Sequence, residues 1–440
     1  MASEHNIRTA PAYRRPMRTM EVRHFVAYAG LAIALIAGIT LRFAYSADIE
    51  WKGDERWTFD HALAMAAGDA WNATGMPASV GGTNPGMSLW VFGALAKIFQ
   101  VQSPPELARA VQCLNSAALI ALVAFAFALV PRERRATWLW AAALWALNPL
   151  AIVFERKIWP PSTLPLLTVA LIAAWSMRHN IIASFIWGAL GALMAQIHLG
   201  VFFLVIALVG WTALQNRKSV RFGSWIAGSL AGTLPAIPWL METARSGGTA
   251  MQGLRIPIFS FFVRWVQQPF GLGSEYALGS MDMIEFLADP VIGGVPTYLV
   301  AVAHVAIAGI VVAVFVAAMR RAIWLRLSWR EAFIGRSPEA VLINASLWGY
   351  GLLMTMLTSF GAGAYRHYMI VIAPVMALWA ARIVIYAAAP RERLAAILLV
   401  TICLAQAVIS ASLLRYIDRV QVIRGEYGAT WQSQERSPVQ

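Results

Sequence analysis

Two adjacent carboxylates stand out in the stretch "WKGDERWTFDHALAM", which directly follows the first long apolar run of the chain. They are Asp54 and Glu55, and His61 follows them within the same stretch. A carboxylate or an imidazole can take a proton from a hydroxyl group as a general base. Two neighbouring carboxylates can also supply oxygen ligands to a divalent metal such as Mg or Mn. An Asp at the start of a helix can instead be a plain N-cap, so this stretch alone leaves both roles open.

Positive charges follow at two later points, each at the end of an apolar run. The segment "NPLAIVFERKIWPPSTLP" contains Arg156 and Lys157, and the segment "GAGAYRHYMIVIAPVMALWAAR" contains Arg366. Guanidinium and ammonium groups can hold a phosphate and stabilise the charge that develops on it. Long basic side chains near helix ends also act as snorkelling anchors, and the sequence leaves both roles open for all three.

Five further side chains are candidates for substrate contacts: His61, Glu155, Trp159, His198 and His367. Trp159 could stack on a sugar ring, or it could belong to the aromatic belt at a membrane surface. His198 lies between two short apolar runs, where an ionisable residue is a functional candidate and a packed histidine is the alternative. No His and Cys residues cluster at metal-binding spacing, so a metal would depend on the Asp-Glu pair.

The amino-acid composition indicates which kind of secondary structure holds these residues. Of the 440 residues, 59% are hydrophobic and 13% are charged, whereas soluble proteins average about 25% charged residues. Apolar runs long enough to cross a bilayer recur along the chain and do not alternate as barrel strands would. The sequence therefore predicts an all-α polytopic membrane protein. Its net charge of +13 is explained by cytoplasmic loops, and no nucleic-acid partner is expected.

Hydropathy predicts about eleven transmembrane spans. They lie at 24–46, 107–130, 136–154, 160–177, 181–196, 199–214, 222–241, 295–318, 338–358, 369–388 and 395–414. With a cytoplasmic N-terminus, 20 of the 35 Lys and Arg residues fall inside and 16 of the 22 acidic residues fall outside. Because Lys and Arg are retained in the cytoplasm, this layout is the favoured one. It places the C-terminus, the Asp-Glu pair and the three cations on the outer side.

The chain is expected to form a single transmembrane domain, with two long outer segments that contain amphipathic, interfacial helices. The predicted parts are a basic cytoplasmic N-tail (1–23), the transmembrane domain (24–414), its outer segments (47–106 and 242–294) and a loosely ordered outer tail (415–440). Within the domain, "GSLAG" (Gly228–Gly232) has the GxxxG spacing that lets two helices pack closely.

Taken in order, these pieces resemble the GT-C superfamily of membrane glycosyltransferases. The resemblance covers residues 25–390. Within the superfamily, the chain is most similar by motif to protein O-mannosyltransferases and to the bacterial enzymes that add aminoarabinose to lipid A, as in glycosyltransferase family 39. It rests on Asp54-Glu55 in the first outer loop, then "NPGMSLWVFGALAKIF", "ELARAVQCLNSAALIAL", "NPL" with a following Arg156, and the late "RHYMIVIAPVMALWAAR". The chain departs from the family at Pro161, where many relatives have an Asp.

This resemblance implies a hexosyl- or pentosyltransferase that uses a polyprenyl-phosphate-linked sugar as co-substrate on the outer face of the membrane. The sugar would pass to a hydroxyl of a glycan, lipid or protein acceptor in a single inverting displacement. It implies Asp54 as the general base and Glu55 in support, with the leaving lipid phosphate held by Arg366, Arg156 and Lys157. Glu155 could replace the missing second acid, and some members use a divalent metal. The composition favours a bacterial plasma membrane, the inner membrane of the envelope.

A multi-pass transporter or lipid flippase is the alternative function. Transport sites usually lie near the midplane of the bilayer, on broken helices with intramembrane polar groups. The ionisable residues of this chain instead collect outside the spans, which favours chemistry at the membrane surface. A scaffold without catalytic activity would not explain the paired carboxylates and the outer cations.

Overall fold

The computed structural model describes residues 17–77, 82–246, 259–335, 337–359 and 366–436. Over these residues the chain is almost entirely helical, with two short β-hairpins. Within the same ranges, four helices are long and apolar enough to cross a membrane, and they lie at Pro104–Ala128, Leu299–Trp324, Tyr368–Ala388 and Glu392–Val420. The expectation of an all-α membrane protein is confirmed at this level. The first 16 residues of the expected N-tail lie outside the described ranges.

Every predicted span coincides with helical structure, although several are interrupted. The first half contains α1 (Met17–Phe43), α2 (Gly53–Ala67), α3 (Met87–Phe99), α4 (Pro104–Ala128), α5 (Arg132–Leu147), α6 (Pro149–Phe154), α7 (Leu164–Ser176), α8 (Ile181–Ile197) and α9 (Val201–Asn216). The second half contains α10 (Phe222–Thr233), α11 (Ile237–Ser246), α12 (Phe259–Gln267), α13 (Glu275–Leu287), α14 (Leu299–Trp324), α15 (Trp329–Phe333), α16 (Glu339–Asn344), α17 (Tyr350–Ser359), α18 (Ala373–Ala388), α19 (Glu392–Val420) and α20 (Trp431–Arg436).

Short elements connect these helices. The antiparallel hairpins pair β1 (Thr74–Pro77) with β2 (Thr83–Pro85) and β3 (Val291–Ile292) with β4 (Val295–Pro296). The 3₁₀ turns lie at Pro160–Thr163, Arg217–Ser219, Leu234–Ala236, Gln268–Phe270 and Arg366–Ile372, and a π turn at Ala345–Gly349 joins α16 to α17. The helices α2, α3, α12 and α13 lie in the two long segments predicted to be outside.

The predicted span 136–154 is divided at Asn148, and local chemistry explains the break. The Asn148 side chain accepts a hydrogen bond from the backbone N–H of Ala151 at 3.0 Å and so caps α6. Pro149 follows at the first helical position, where its missing N–H has no cost. Because α6 turns away from α5 and ends at Phe154, the next residues form a short loop, Glu155–Trp159, at one end of the helix bundle.

The two ends of the bundle differ in their charged residues. One end, here called the basic end, brings Arg134 to Glu339 at 2.7 Å and Arg382 to the carbonyl of Glu331 at 3.2 Å. The opposite end, called the site end, gathers the loop Glu155–Trp159, the α1–α2 connection, the start of α13 and the C-terminal residues. These groupings agree with the two sides that the sequence predicted from charge.

Close packing of α8 against α10 confirms the role predicted for "GSLAG". A Cβ atom on Gly228 would collide with the backbone oxygen of Phe185, and one on Gly232 would lie 2.5 Å from the oxygen of Ala189. On the facing helix, Gly188 has the same relation to the oxygen of Trp225. Small residues thus let the two backbones approach, and van der Waals contact between helices is a main source of stability in a membrane.

Residues 415–436 are not a loose tail, so the prediction of a loosely ordered tail is wrong for this part of it. Helix α19 continues to Val420, and residues 421–436 then fold back over the site end. An isolated β-bridge joins Thr430 to Glu50, and the side chains of Ile423 and Tyr427 are buried. The sequence of this segment is polar, which gave no sign that its backbone pairs with residues near Glu50.

Replacing Gly228 with Ala is expected to lower the thermal unfolding temperature of the purified protein in detergent, because the new methyl group forces α8 and α10 apart. Gly210→Ala in α9 is the matched control, since a Cβ atom there meets nothing within 4 Å. Removing a mid-helix glycine at such an open position should stabilise by about 0.5–1 kcal/mol. Equal unfolding temperatures for the two variants would contradict this packing.

Candidate functional site

A buried lysine lies at the centre of the site end. The Lys157 Nζ atom is 2.8 Å from Glu50 Oε2 and 3.4 Å from Glu55 Oε1. The second oxygen of Glu50 pairs with Lys52 at 2.7 Å. Lys157 and both carboxylates are buried, where unpaired charges are very costly. The loop Glu155–Trp159, the α1–α2 connection and the first turn of α2 are therefore tied together by one ammonium group.

The position of Glu55 follows from how α2 begins. Lys52 is the N-cap, and its backbone N–H donates to Glu55 Oε2 at 3.1 Å, as in the second half of a capping box. Asp54, which the sequence offered as an N-cap, is therefore not the capping residue and lies inside the first turn. The capped turn fixes the carboxylate so that its other oxygen faces Lys157.

Burial gives Glu55 an unusual acidity. Loss of hydration raises the pKa of Glu55 to about 7, although nearby Lys157 lowers it, and Glu50 adds to the rise. Burial works to lower the pKa of Lys157, but the two carboxylates outweigh it and raise that pKa above its ordinary value. The lysine therefore stays charged, whereas Glu55 can take up or release a proton near neutral pH.

Asp54 occupies a different environment from Glu55. It is exposed in the first turn of α2, and no side chain in the described ranges is hydrogen-bonded or ion-paired with it. The ring of His61 stacks on Trp57 with centroids 4.0 Å apart, and its Nδ1 lies 2.8 Å from the Trp57 oxygen. Thr58, four residues after Asp54, is buried. Asp54 is thus the accessible carboxylate of the pair.

An aromatic cluster adjoins the buried lysine. Trp159 stacks on Tyr368 with centroids 6.0 Å apart at an angle of 20°, and Lys157 Nζ lies 5.6 Å from the centre of the Trp159 ring. The His198 ring is 5.0 Å from that of Tyr368. Burial lowers the pKa of His198 to about 4, so its imidazole is neutral near pH 7. Trp159 and His198, two of the predicted candidates for substrate contact, are therefore brought together near Lys157.

Arg366 adds a second cation on the same side, at the start of the turn that contains Tyr368. Its Nη2 donates to Gln267 Oε1 and to Glu275 Oε1, both at 2.8 Å. Its Nη1 is buried and has no hydrogen-bond partner among the described residues. Gly273, with φ of +111°, lies against this nitrogen, and a side chain there would displace the guanidinium. The side chain of His367 lies outside the described part of the chain.

Glu155 and Arg156 do not share the environment of Lys157. Glu155 is fully buried and is paired with Arg42 at 2.5 Å, and it also accepts from Trp145 Nε1 at 2.7 Å. Arg156 is buried and donates from Nη2 to the carbonyl of Tyr45 at 2.6 Å. Glu155 thus joins the loop to α1 and α5, and Arg156 joins it to the α1–α2 connection. These contacts favour a structural role for Glu155, whereas Arg156 is a secondary phosphate ligand in the proposal below.

Several residues of the site were missed by sequence reasoning. Glu50 could have been found, because Asp48, Glu50, Asp54 and Glu55 form an unusually acidic run after the first span.

Tyr368, Glu275 and Tyr276 gave no comparable signal, because only the folded chain brings α13 and the turn at Arg366 together. Burial raises the pKa of Tyr276, so its phenol stays protonated and can donate a hydrogen bond.

The described residues contain no cluster of three or more His, Cys, Asp or Glu side chains that could hold a metal ion. The Asp-Glu pair was the sequence candidate for a divalent metal. Both oxygens of Glu55 already have partners, Lys157 and the Lys52 backbone N–H. A metal at this pair would therefore have to displace the lysine or rely mainly on Asp54.

Comparisons with known proteins found no match for this chain among protein families, curated proteins or solved structures.

The stability of the protein should depend on pH through Glu55. Its pKa is raised by burial from 4.5 to about 7, so its contribution to stability is fully present below the lower value and is lost as pH rises through the upper one. Glu55→Gln keeps the capping acceptor but does not titrate. The unfolding temperature, measured from about pH 5 to pH 8, should fall less steeply in this variant. Parallel curves for the variant and the wild type would refute this assignment.

Removing the partner of Glu155 should destabilise the bundle strongly. Arg42→Met leaves a buried carboxylate without its cation, which typically costs about 3–5 kcal/mol. In the double variant Arg42→Met with Glu155→Met, the unpaired charge is gone and most of that loss should return. The free energy of unfolding in mixed micelles measures the loss in the single variant and its recovery in the double variant. If Arg42→Met alone is as stable as the wild type, the pair is not structural.

Proposed function

We propose that this protein is an integral-membrane glycosyltransferase that moves a sugar from a polyprenyl-phosphate donor to an acceptor hydroxyl. One observation carries the proposal. Lys157 lies over the ring of Trp159, which stacks on Tyr368, and Arg366 begins the turn that contains Tyr368. At the same end of the bundle an exposed carboxylate, Asp54, lies next to the buried Glu55. Cations for a phosphate, aromatic rings for a sugar and a base for a hydroxyl are the parts that such a transfer requires.

The charge balance favours Arg366 over Lys157 as the main phosphate ligand. Lys157 is shared by two carboxylates, so little of its charge is left for an anion. Arg366 has a single carboxylate partner, which is half-exposed, and a buried Nη1 without a described acceptor. A phosphate oxygen at this nitrogen would complete its hydrogen bonding and stabilise the leaving group. Lys157 and Arg156 are secondary ligands in this proposal.

The reaction we propose is one displacement at the anomeric carbon. Asp54 accepts the proton of the acceptor hydroxyl as its oxygen forms the new glycosidic bond. The bond to the donor phosphate oxygen breaks on the opposite face, so the configuration inverts. Glu55 positions the first turn of α2 through its contacts with Lys52 and Lys157. Holding both substrates together supplies a large part of the rate enhancement.

The finer architecture belongs to the same proposal. We propose about eleven transmembrane spans in a GT-C-like arrangement, with the site end facing outward and the basic end in the cytoplasm of a bacterial cell. The basic end then carries the Lys and Arg excess that the positive-inside rule requires. Nucleotide sugars are not available on the outer face, which is why a lipid-linked donor suits this orientation.

The distribution of buried charges favours this function over the alternative of a transporter or flippase. Of the charged side chains in the described ranges that are buried, all but Glu339 belong to the site end: Arg42, Asp48, Glu50, Glu55, Glu155, Arg156, Lys157, Asp282, Asp289 and Arg366. A transport path would require polar groups near the middle of the helices. Movement of a labelled lipid across liposomes, without any covalent product, would support the alternative.

Asp54→Asn should reduce sugar transfer by about 10²–10⁴-fold, because the amide cannot accept the hydroxyl proton. Asp60→Asn is the matched control, since Asp60 is also exposed on α2. Transfer is measured with purified protein in nanodiscs and a radiolabelled polyprenyl-phosphate sugar. Near wild-type transfer by the Asp54 variant, with normal protein yield, would exclude Asp54 as the base.

Arg366→Gln should weaken donor binding about tenfold to a hundredfold, the range expected for the loss of a hydrogen bond to a charged group. Arg415→Gln on α19 is the control, because Arg415 is exposed. Titration with polyprenyl phosphate alone measures the affinity without the need for a sugar or an acceptor. Equal affinities for the two variants would exclude Arg366 as the phosphate ligand.

A further inference from the structure

The C-terminal segment, residues 421–436, lies between the two halves of the candidate site. One half consists of the α1–α2 connection and the first turn of α2, which hold Lys157 through Glu50 and Glu55. The other half is the start of α13, whose Glu275 pairs with Arg366. These halves are more than two hundred residues apart in sequence. Because the segment contacts both halves, it can hold them at a fixed distance as well as cover this end of the bundle.

Its contacts with the first half follow the pattern of an added strand. The backbone N–H of Trp51 donates to the oxygen of Ala429 at 3.0 Å, and that of Trp431 donates to the oxygen of Ile49 at 2.9 Å. Thr430 thus pairs directly with Glu50. Because backbone bonds on both sides enclose Glu50, the segment fixes where that carboxylate meets Lys157.

Its contacts with the second half anchor α13. The Arg424 side chain donates to Asp282 at 2.6 Å and to Glu285 at 2.8 Å, and its backbone N–H donates to Asp282 at 2.7 Å. Gly425 lies against the backbone of Gly279, where α13 is kinked and φ is +71°. A side chain at Gly425 would collide with that backbone, so the sequence permits this close approach only with glycine.

Two consecutive residues connect the halves directly. The backbone N–H of Glu426 donates to the oxygen of Tyr276 at 3.3 Å, and its own carbonyl accepts from the Lys52 ammonium group. The backbone N–H of Tyr427 donates to the oxygen of Ala277 at 3.0 Å, and its hydroxyl donates to the oxygen of Asp48. Each residue therefore bonds to α13 on one side and to the α1–α2 connection on the other.

We propose that residues 421–436 are a positioning element of the active site, which sets the distance between the Glu50–Lys157–Glu55 cluster and the α13 segment that holds Arg366. This inference rests on the proposed function for its activity readout, since the positioned groups are those assigned to donor and acceptor. Residues of the segment act through Glu50 and Tyr276 and are not themselves catalytic.

The test compares the full chain with a chain that ends at Val420, both in nanodiscs. Truncation should lower sugar transfer by more than about tenfold, as expected when several partly buried hydrogen bonds, including those between Arg424 and Asp282, are lost together. A synthetic peptide of residues 421–440, added in excess, should restore most of the rate. Transfer by the truncated chain within twofold of the full chain would overturn the inference.

A second readout does not depend on activity. Lys157 is buried, whereas Lys97 and Lys218 are exposed, so acylation by an amine-reactive ester, quantified by mass spectrometry, reports how well Glu50 and Glu55 protect Lys157. Truncation should raise Lys157 labelling towards that of the two reference lysines, and the peptide should reverse it. If the full chain transfers no sugar but this labelling change occurs, the proposed function fails and the positioning role stands. Unchanged protection of Lys157 would overturn the positioning role.

Point variants keep the test decisive if the truncated chain does not fold. Arg424→Gln removes the anchor to Asp282 and Glu285, and Tyr427→Phe removes only the hydroxyl bond to Asp48. Arg415→Gln, an exposed position on α19, is the control. The double variant of Arg424 and Tyr427 should lose about tenfold in rate and expose Lys157 to labelling. If the double variant and the control behave alike in both assays, the segment does not position the site.

Discussion

The buried ammonium group of Lys157 is the interaction on which the site end depends. It is held by Glu50 at 2.8 Å and Glu55 at 3.4 Å, and each carboxylate is fixed by a different piece of backbone. The backbone of Thr430 forms a β-bridge with that of Glu50, and the capped first turn of α2 fixes Glu55. A charge buried in this way is stable only while its partners stay in place. The fold therefore has to bring the start of α2, the loop after α6 and the C-terminal segment to one point.

This constraint gives charged residues of the same type different roles in the site. Glu55 is buried and occupied by Lys157, so it can hold the turn in place, whereas the exposed Asp54 can meet a hydroxyl. Lys157 is neutralised by two carboxylates, whereas Arg366 retains an unsatisfied buried nitrogen. In the proposed reaction, the main substrate contacts, Asp54 and Arg366, are thus distinct from Glu55, which builds the site. Burial and pairing, more than residue type, separate the two groups.

Sequence reasoning predicted the helical ranges well, because long apolar runs are local signals. It missed the break at Asn148, where an amide cap and a proline divide one apolar run. It also could not separate Glu155, Arg156 and Lys157, since three consecutive charges reach different partners only after folding. The C-terminal residues were misjudged for the same reason. Their order comes from backbone pairing with residues near Glu50, which no hydropathy pattern records.

The central claim is that a lipid-linked phosphate binds at the site end, and its position can be measured directly. The measurement is a cryo-electron microscopy map of the full chain in nanodiscs with polyprenyl phosphate bound. We expect phosphate density within about 3 Å of the Arg366 guanidinium, at the end of the bundle that contains Trp159 and Tyr368. Headgroup density near the middle of the helices, away from Arg366, would exclude this binding site and would favour a transport path.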